Sequence, residues 1–155
     1  MSATTTLNVE GAEVTVETSA LFRAWFEKHL QSQISKLPVP TPRQGEKHLC
    51  TITTADGRVC HTFLLPDRAK FDWKTGMQWA KNLGGDLMDR AEQAVAFRDM
   101  PDEFDKEAHW SNTQHAGYSN YAWYQNFKYG DQLYSFMDNA LSVRAVRREF
   151  SDSVI

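Results

Sequence analysis

A chain of 155 residues is long enough to bury one core and carry a small appendage. With 17 Lys and Arg against 20 Asp and Glu, a net charge of -3, it lacks the basic stripe of a dedicated nucleic-acid binder. The densest basic cluster, Arg144, Arg147 and Arg148, is too short to track a phosphate backbone. No apolar run approaches the roughly 20 residues a bilayer span needs, and two cysteines make no disulfide framework. Residues 1–10 lack the positive-then-apolar layout of a secretory signal, so synthesis in the cytoplasm without a signal peptide is expected. Exit would then occur by lysis or within an assembled particle.

From Thr5 to Thr18 a loose alternation (Leu7, Val9, Val14, Val16) around Glu10-Gly11-Ala12 predicts a hairpin or two brief strands. Ser19 is placed to cap a helix whose single stripe holds Leu21, Phe22, Trp25, Phe26, Leu30 and Ile34. Burying each large side chain is worth roughly 1.5–3 kcal/mol, so that stripe must pack on something. The segment Leu37-Pro38-Val39-Pro40-Thr41-Pro42 is extended, because each proline fixes φ and disfavours helix before it. A boundary is expected there, with residues 1–46 forming a strand-helix element plus linker and residues 47–155 the main domain. The main domain opens with a hairpin, His48 to Thr54 and Arg58 to Leu65, about Asp56-Gly57. Asp72 caps a helix through Trp73, Met77, Ala80 and Leu83 that stops at Gly84-Gly85. Asp89 and Glu92 stand at capping-box spacing for a second helix, Arg90 to about Arg98, ended by Pro101. Short strands follow from His109: Tyr121–Phe127, Gln132–Met137 and Leu141–Arg148, with a turn at Tyr129-Gly130-Asp131. The fold class is therefore α+β.

The densest chemical signal lies between Tyr118 and Phe136, where eight of nineteen residues are aromatic among Asn, Gln, Ser and Gly. Tyr and Trp offer wide contact area at little rotamer cost, and small polar residues supply adaptable hydrogen bonds. Aromatics are also good strand and core residues, so each position has a packing alternative. Strand alternation puts Tyr121, Trp123, Gln125 and Phe127 on one face and Ala122, Tyr124 and Asn126 on the other. The candidate ligand-contacting residues are Tyr118, Tyr121, Tyr124, Asn126, Gln132 and Tyr134.

The succession Gly84-Gly85-Asp86-Leu87, a capped helix, Trp110-Ser111-Asn112-Thr113, Ala122-Trp123-Tyr124 with Phe127 and Gly130, then Val143-Arg144-Ala145-Val146-Arg147 resembles the C-type-lectin-like domains of bacteria and their phages. These share a fold with formylglycine-generating enzymes and with retroelement-diversified variable proteins. The resemblance covers roughly Phe63 to Arg148; residues 1–46 fall outside it. Where many relatives have Pro-Thr after Gly-Gly-x-Leu, this chain has Met88-Asp89. The resemblance implies a lectin-like mixed fold, core roles for the Trp and Phe, a structural role for the last-strand arginines, and ligand contacts in the Tyr118–Tyr134 region.

Metal and catalytic chemistry find little support. The calcium-lectin signatures Glu-Pro-Asn, Gln-Pro-Asp and Trp-Asn-Asp are absent, and Asp99, Asp102, Glu103, Asp105 and Glu107 read as a solvated acidic loop. No obligatory calcium and no other cofactor is expected. For zinc, a two-residue turn at Asp56-Gly57 would set Cys60 opposite Thr53 and His61 opposite Ile52. Cys50 and Cys60 would then lie on opposite faces, and His48, Cys50 and His61 would give three ligands where structural zinc wants four. The formylglycine-generating relatives use two late cysteines, and this chain has none after Cys60. No nucleophile elbow, phosphate loop or metalloprotease helix occurs, so the chain is expected not to be an enzyme.

The expected function is a non-catalytic, phage- or prophage-associated recognition module with a protein or glycan partner on host or virion. Phe22, Trp25, Phe26 and Leu30 would serve docking or oligomerisation, and a trimer would satisfy that face. A virion structural protein using the fold as scaffold and a small inhibitor of a host defence protein remain open alternatives.

Overall fold

Local capping chemistry sets the frame of the chain in its computed structural model, which describes residues 3–9, 12–34 and 39–151. The expected turn at Glu10-Gly11, the Leu37-Pro38 part of the linker, and the side chains of Leu30 and Ile34 lie outside the described residues. The chain divides into two compact units, Met1–Val39 and Pro40–Ile155.

In the N-terminal unit, β1 (Thr4–Val9) and β2 (Ala12–Glu17) pair antiparallel and lead straight into α1 (Thr18–Ile34). The helix starts at Thr18, so Ser19 stands in its first turn and not at the cap. Thr18 N–H donates to Ala3 O at 2.9 Å, tying the helix start to the strand. Phe22, Trp25 and Phe26 are exposed and stack chiefly on one another and on His29, with Trp25 and His29 centroids 4.7 Å apart.

The C-terminal unit is mixed α+β. Its strands are β3 (Lys47–Thr53), β4 (Val59–Phe71), β5 (Asp86–Leu87), β6 (Ala108–Gln114), β7 (Tyr121–Asn126), β8 (Gln132–Phe136) and β9 (Leu141–Ser151). They form a seven-stranded sheet in the order β3-β4-β9-β6-β7-β8, with β5 laid on β9. The helices α2 (Trp73–Asn82) and α3 (Arg90–Asp99) follow the caps in the sequence. Asp72 accepts from Thr75 N–H, and Asp89 and Glu92 form a reciprocal capping box. Gly84, at φ +80°, ends the first helix in a conformation that favours glycine. At Gly85 a Cβ would collide with the Val146 carbonyl, so β5 can approach β9 only through glycine there.

Two apolar clusters fill the interior. One gathers Leu65, Ala80, Leu87, Trp110, Ala122 and Val143 beside α2; the other gathers Leu49, Leu64, Met88, Ala96, Phe104 and Phe127 beside α3. Trp110 Nε1–H donates to Phe71 O, and Ser111 Oγ–H donates to Trp123 O at 2.8 Å. Asn112 N–H donates to Met88 O, and its amide donates to Asp86. The Trp-Ser-Asn motif thus fixes β6 by buried and half-buried polar groups that have partners.

The β3–β4 register departs from the expected one. The turn is longer: Thr54 N–H donates to Arg58 O and Gly57 N–H to Thr54 O. Ile52 therefore faces Cys60 and Thr51 faces His61, with a bulge between His48 and Cys50. A one-residue slip exchanges faces. Cys50 and Cys60 share one face, while His48 and His61 meet Thr51 Oγ1 on the other at 3.0 and 2.9 Å. The four residues divide two and two, and burial raises the Cys50 thiol to about 11.

The basic cluster of β9 is largely enclosed. Arg144 and Arg147 are only 3% and 8% exposed. Arg144 donates to the carbonyls of Leu65 and Glu103, and burial lowers it to about 10. Arg147 pairs with Glu46 at 2.8 Å and lies 4.5 Å over the Phe63 ring. Glu46 thus draws residues 40–46, assigned from the sequence to the N-terminal element, into the C-terminal unit.

His109 is sealed between Phe104 and Phe127, its Nδ1–H donating to Glu107 O at 3.1 Å. Burial lowers it from 6.5 to about 4, and Arg144 acts in the same direction. The Glu107 carbonyl and the carboxylates of Glu107 and Asp105 oppose the shift. Between these two values the unfolded chain binds more protons than the folded one, so stability falls as pH falls from about 6.5 toward 4. At pH 5 the loss from this residue is about 2 kcal/mol. Urea unfolding at pH 7 and pH 5 should show this slope in the parent and a flatter one in His109→Gln. Equal slopes would remove His109 as its source.

Candidate functional site

One face of β7 is covered along only part of its length, and that division creates the site. At the far end α3 lies over Gln125, which is buried, and the chain leaves the strand into buried Phe127. At the near end Tyr121 and Trp123 remain half-buried. The register sets Tyr121 opposite Phe136 and Trp123 opposite Tyr134, so the β7–β8 pair presents four rings on one face. Their centroids lie 4.2 Å apart for Tyr121 and Phe136 and 5.3 Å for Trp123 and Tyr134.

His115 completes the surface from the loop after β6. Its Nδ1 accepts from the N–H groups of Gly117 and Tyr118 at 3.0 and 3.1 Å, which folds the loop back. With Nδ1 committed as acceptor, the neutral ring carries its proton on Nε2. The ring stacks on Trp123 at 5.3 Å and on Tyr118 at 4.8 Å, and meets Tyr134 at 4.4 Å. The result is a continuous aromatic shelf of His115, Tyr118, Tyr121, Trp123, Tyr134 and Phe136. Tyr118, Phe136 and Tyr134 are its most open members, at 54, 49 and 42% exposure.

A cation borders the shelf. The Arg90 guanidinium stands 3.8 Å over the Trp123 ring. Gln132 holds it there: Arg90 Nε–H donates to Gln132 Oε1 at 3.0 Å, and Gln132 Nε2–H donates to Arg90 O at 2.7 Å. Arg90 is the first residue of α3, so the capping box that fixes the helix start also fixes this cation.

Of the six expected contact residues, the structure brings Tyr118, Tyr121 and Tyr134 together. Gln132 stands beside them as the clamp on Arg90. Tyr124 does not join them: it points to the opposite face and packs against Trp110 in the α2 cluster. Burial raises its phenol above the ordinary value, and Asp131 adds to the shift. Asn126 does not join them either, because its Oδ1 accepts from Lys128 and Tyr129 N–H and closes the β7–β8 loop. Trp123, expected in the core, instead lies at the border of the shelf. His115, Phe136 and Arg90 were not among the expected contacts. The pairing of Tyr121 with Trp123 on one face was legible; its lack of cover was not.

No family model matches the chain, and no curated protein matches it in a sequence search. The site's character therefore rests on its own geometry. Among the described residues, no group of three or more His, Cys, Asp or Glu is placed to hold a metal ion. The acidic run is dispersed over separate cations: Asp99 on Arg98, Glu103 on Lys47, Asp105 on Arg68, Glu107 on Lys70. Among the described residues, no helix is long and apolar enough to cross a membrane.

Proposed function

We propose that the chain is a non-catalytic recognition module whose aromatic shelf binds a partner on a host cell or a virion. The observation that carries this reading is the composition of the shelf. Exposed Tyr118, Tyr134 and Phe136 surround half-buried Trp123, with Arg90 stacked on it. Binding hot spots are enriched in Trp, Tyr and Arg, clustered in a tightly packed centre. Rings that brace one another, with the Nδ1 of the shelf's histidine tied to backbone, support pre-organised contact rather than proton transfer.

The resemblance of the Trp110–Thr113 and Ala122–Gly130 segments to lectin-like domains supports assigning the module to phages or prophages. In this reading it is made in the cytoplasm and becomes virion-associated. The exposed face of Phe22, Trp25 and Phe26 on α1 supports a role for the N-terminal unit in docking or self-association, with a trimer as the expected state. A monomeric mass in solution for the full chain would remove that role.

The experiment for the shelf is a capture comparison. The full chain and a Tyr118→Ala/Tyr134→Ala variant are immobilised and exposed to bacterial extracts, purified virions and a glycan panel. Retention by the parent, lost in a variant with unchanged thermal unfolding, is expected. Equal retention by both would reject the shelf as the contact surface and leave the scaffold reading in its place.

A further inference from the structure

The strand that carries the shelf's two most open β-residues is also an unprotected sheet edge. Among the described residues β8 ends the sheet order of the C-terminal unit, paired to β7 alone. Hydrogen bonds bracket the pair at both ends: Asn126 N–H donates to Asp131 O, and Met137 N–H to Asn120 O, each at 2.9 Å. Antiparallel ladders alternate, so Tyr124 with Leu133 and Ala122 with Ser135 are the hydrogen-bonded pairs between them. Gln132, Tyr134 and Phe136 then direct their backbone N–H and C=O groups away from β7, the Phe136 carbonyl accepting from Asn139 N–H at 3.0 Å.

Natural edges are blunted with lysine, proline or bulges. The opposite edge, β3, has Lys47 and the bulge at His48/Cys50. The β8 sequence, Gln132-Leu133-Tyr134-Ser135-Phe136, has no charge, no proline and no register shift. It also exposes large apolar side chains on both faces of the sheet, Leu133 on one and Tyr134 and Phe136 on the other. Exposed Asp131 and Asp138 flank it at its two ends.

We propose that β8 accepts an extended peptide segment of a protein partner, which pairs with it as an added strand. This rests on the recognition reading above and names the partner's chemistry. The segment is uncharged over its paired residues, free of proline there, and apolar at alternate positions so that it covers Tyr134 and Phe136. Basic residues flank it, matching Asp131 and Asp138. Main-chain bonds at Gln132, Tyr134 and the Phe136 N–H supply affinity, and the alternating side chains supply selectivity. A second copy of this chain fits the edge less well. Two-fold pairing of β8 centred on Tyr134 would bring Asp131 of one copy beside Asp138 of the other at both ends. A five-residue strand of about 17 Å also falls short of the contact a stable dimer needs.

The test selects binders from a random short-peptide library on the full chain and measures amide exchange in the resulting complexes. Selected peptides should alternate apolar residues between basic flanks and slow exchange at Gln132, Tyr134 and Phe136 by at least about tenfold. Tyr134→Ala removes the ring but keeps the outward N–H, whereas Tyr134→Pro removes both. Proline is tolerated on an edge where the N–H faces away from the ladder. Tyr134→Pro should bind about a further tenfold more weakly than Tyr134→Ala. N-methylation of alternate peptide residues, which leaves the protein untouched, should abolish binding in one register only.

Peptides that leave the edge amides unprotected and bind both variants alike would overturn the strand pairing. If they still lose affinity in Tyr118→Ala, the shelf reading stands alone. Edge protection indifferent to Tyr118→Ala keeps the pairing and removes the shelf. Edge protection in the free chain with a dimeric mass assigns β8 to a second copy and overturns the proposal, as does a library that yields no binder.

Discussion

Arg148→Ala is expected to destabilise the C-terminal unit by about 3–5 kcal/mol, lowering its unfolding temperature by roughly 10–20 °C. Arg148 reaches Glu92 at 2.6 Å, Asp86 at 3.0 Å and the Leu87 carbonyl. Burial alone would lower the pKa of its guanidinium, but the hydrogen bonds and charges of Glu92 and Asp86 more than reverse this and hold it raised. Glu92 is 2% exposed and is also the capping-box residue of α3 and the acceptor for Thr62 Oγ–H. One guanidinium therefore joins β9 to β5 and to the start of α3. Removing it leaves a buried carboxylate without its cation, and that uncompensated charge supplies most of the loss. The double variant Arg148→Met/Glu92→Gln keeps a cap while removing both charges, so it should recover much of the stability. Urea denaturation of the parent, the single and the double variant measures this. A single-variant loss below about 1 kcal/mol would mean the network is a solvated surface pair.

The part of this fold that was legible from residues alone is the part decided within one turn of chain. Asp72, the Asp89–Glu92 box and Gly84 act over a few positions, and the helices they announce stand where expected. The β3–β4 turn failed at the same scale. Asp56-Gly57 has the composition of a two-residue turn, but Thr54 bonds both Asp56 and the Arg58 carbonyl and widens it. One residue of difference moved Cys60 onto the face of Cys50. The arginines of β9 were beyond reach for another reason. Their partners, Glu92 and Glu46, lie 56 and 101 residues away, and nothing in a basic triplet announces enclosure.

The site divides in the same way. Alternation along β7 put Tyr121 and Trp123 together, and that held. Which face would be open depended on where α3 ends its coverage, a tertiary fact. The face of Tyr121, Trp123 and Gln125 is core at Gln125 and half-open at Tyr121, and Trp123, expected in the core, stands at the boundary. The face taken as exposed at Tyr124 is closed by Trp110. His115 is structural, through Nδ1, and by that bond it also presents its ring to the shelf.

Tyr118→Ala and Tyr124→Ala should consequently part company. Tyr118 is half exposed and contacts chiefly other shelf rings, so its truncation should change stability by no more than about 1 kcal/mol. Partner binding should weaken by at least 2 kcal/mol, about 30-fold, as at a central hot spot. Tyr124 packs edge-on to the Trp110 ring at 6.3 Å inside the α2 cluster. Its truncation opens a cavity there and should cost about 3 kcal/mol of stability. The folded fraction should still bind with nearly unchanged affinity, because Tyr124 faces away from Tyr118 and Tyr134. Thermal unfolding and titration of both variants against the same captured partner decide the matter. If Tyr118→Ala unfolds as readily as Tyr124→Ala while binding falls only with the folded fraction, the rings are packing for a scaffold. If binding tracks Tyr118 and stability tracks Tyr124, the two faces of one strand have separate duties: β7 holds the core together with Ala122 and Tyr124 and meets the partner with Tyr121 and Trp123.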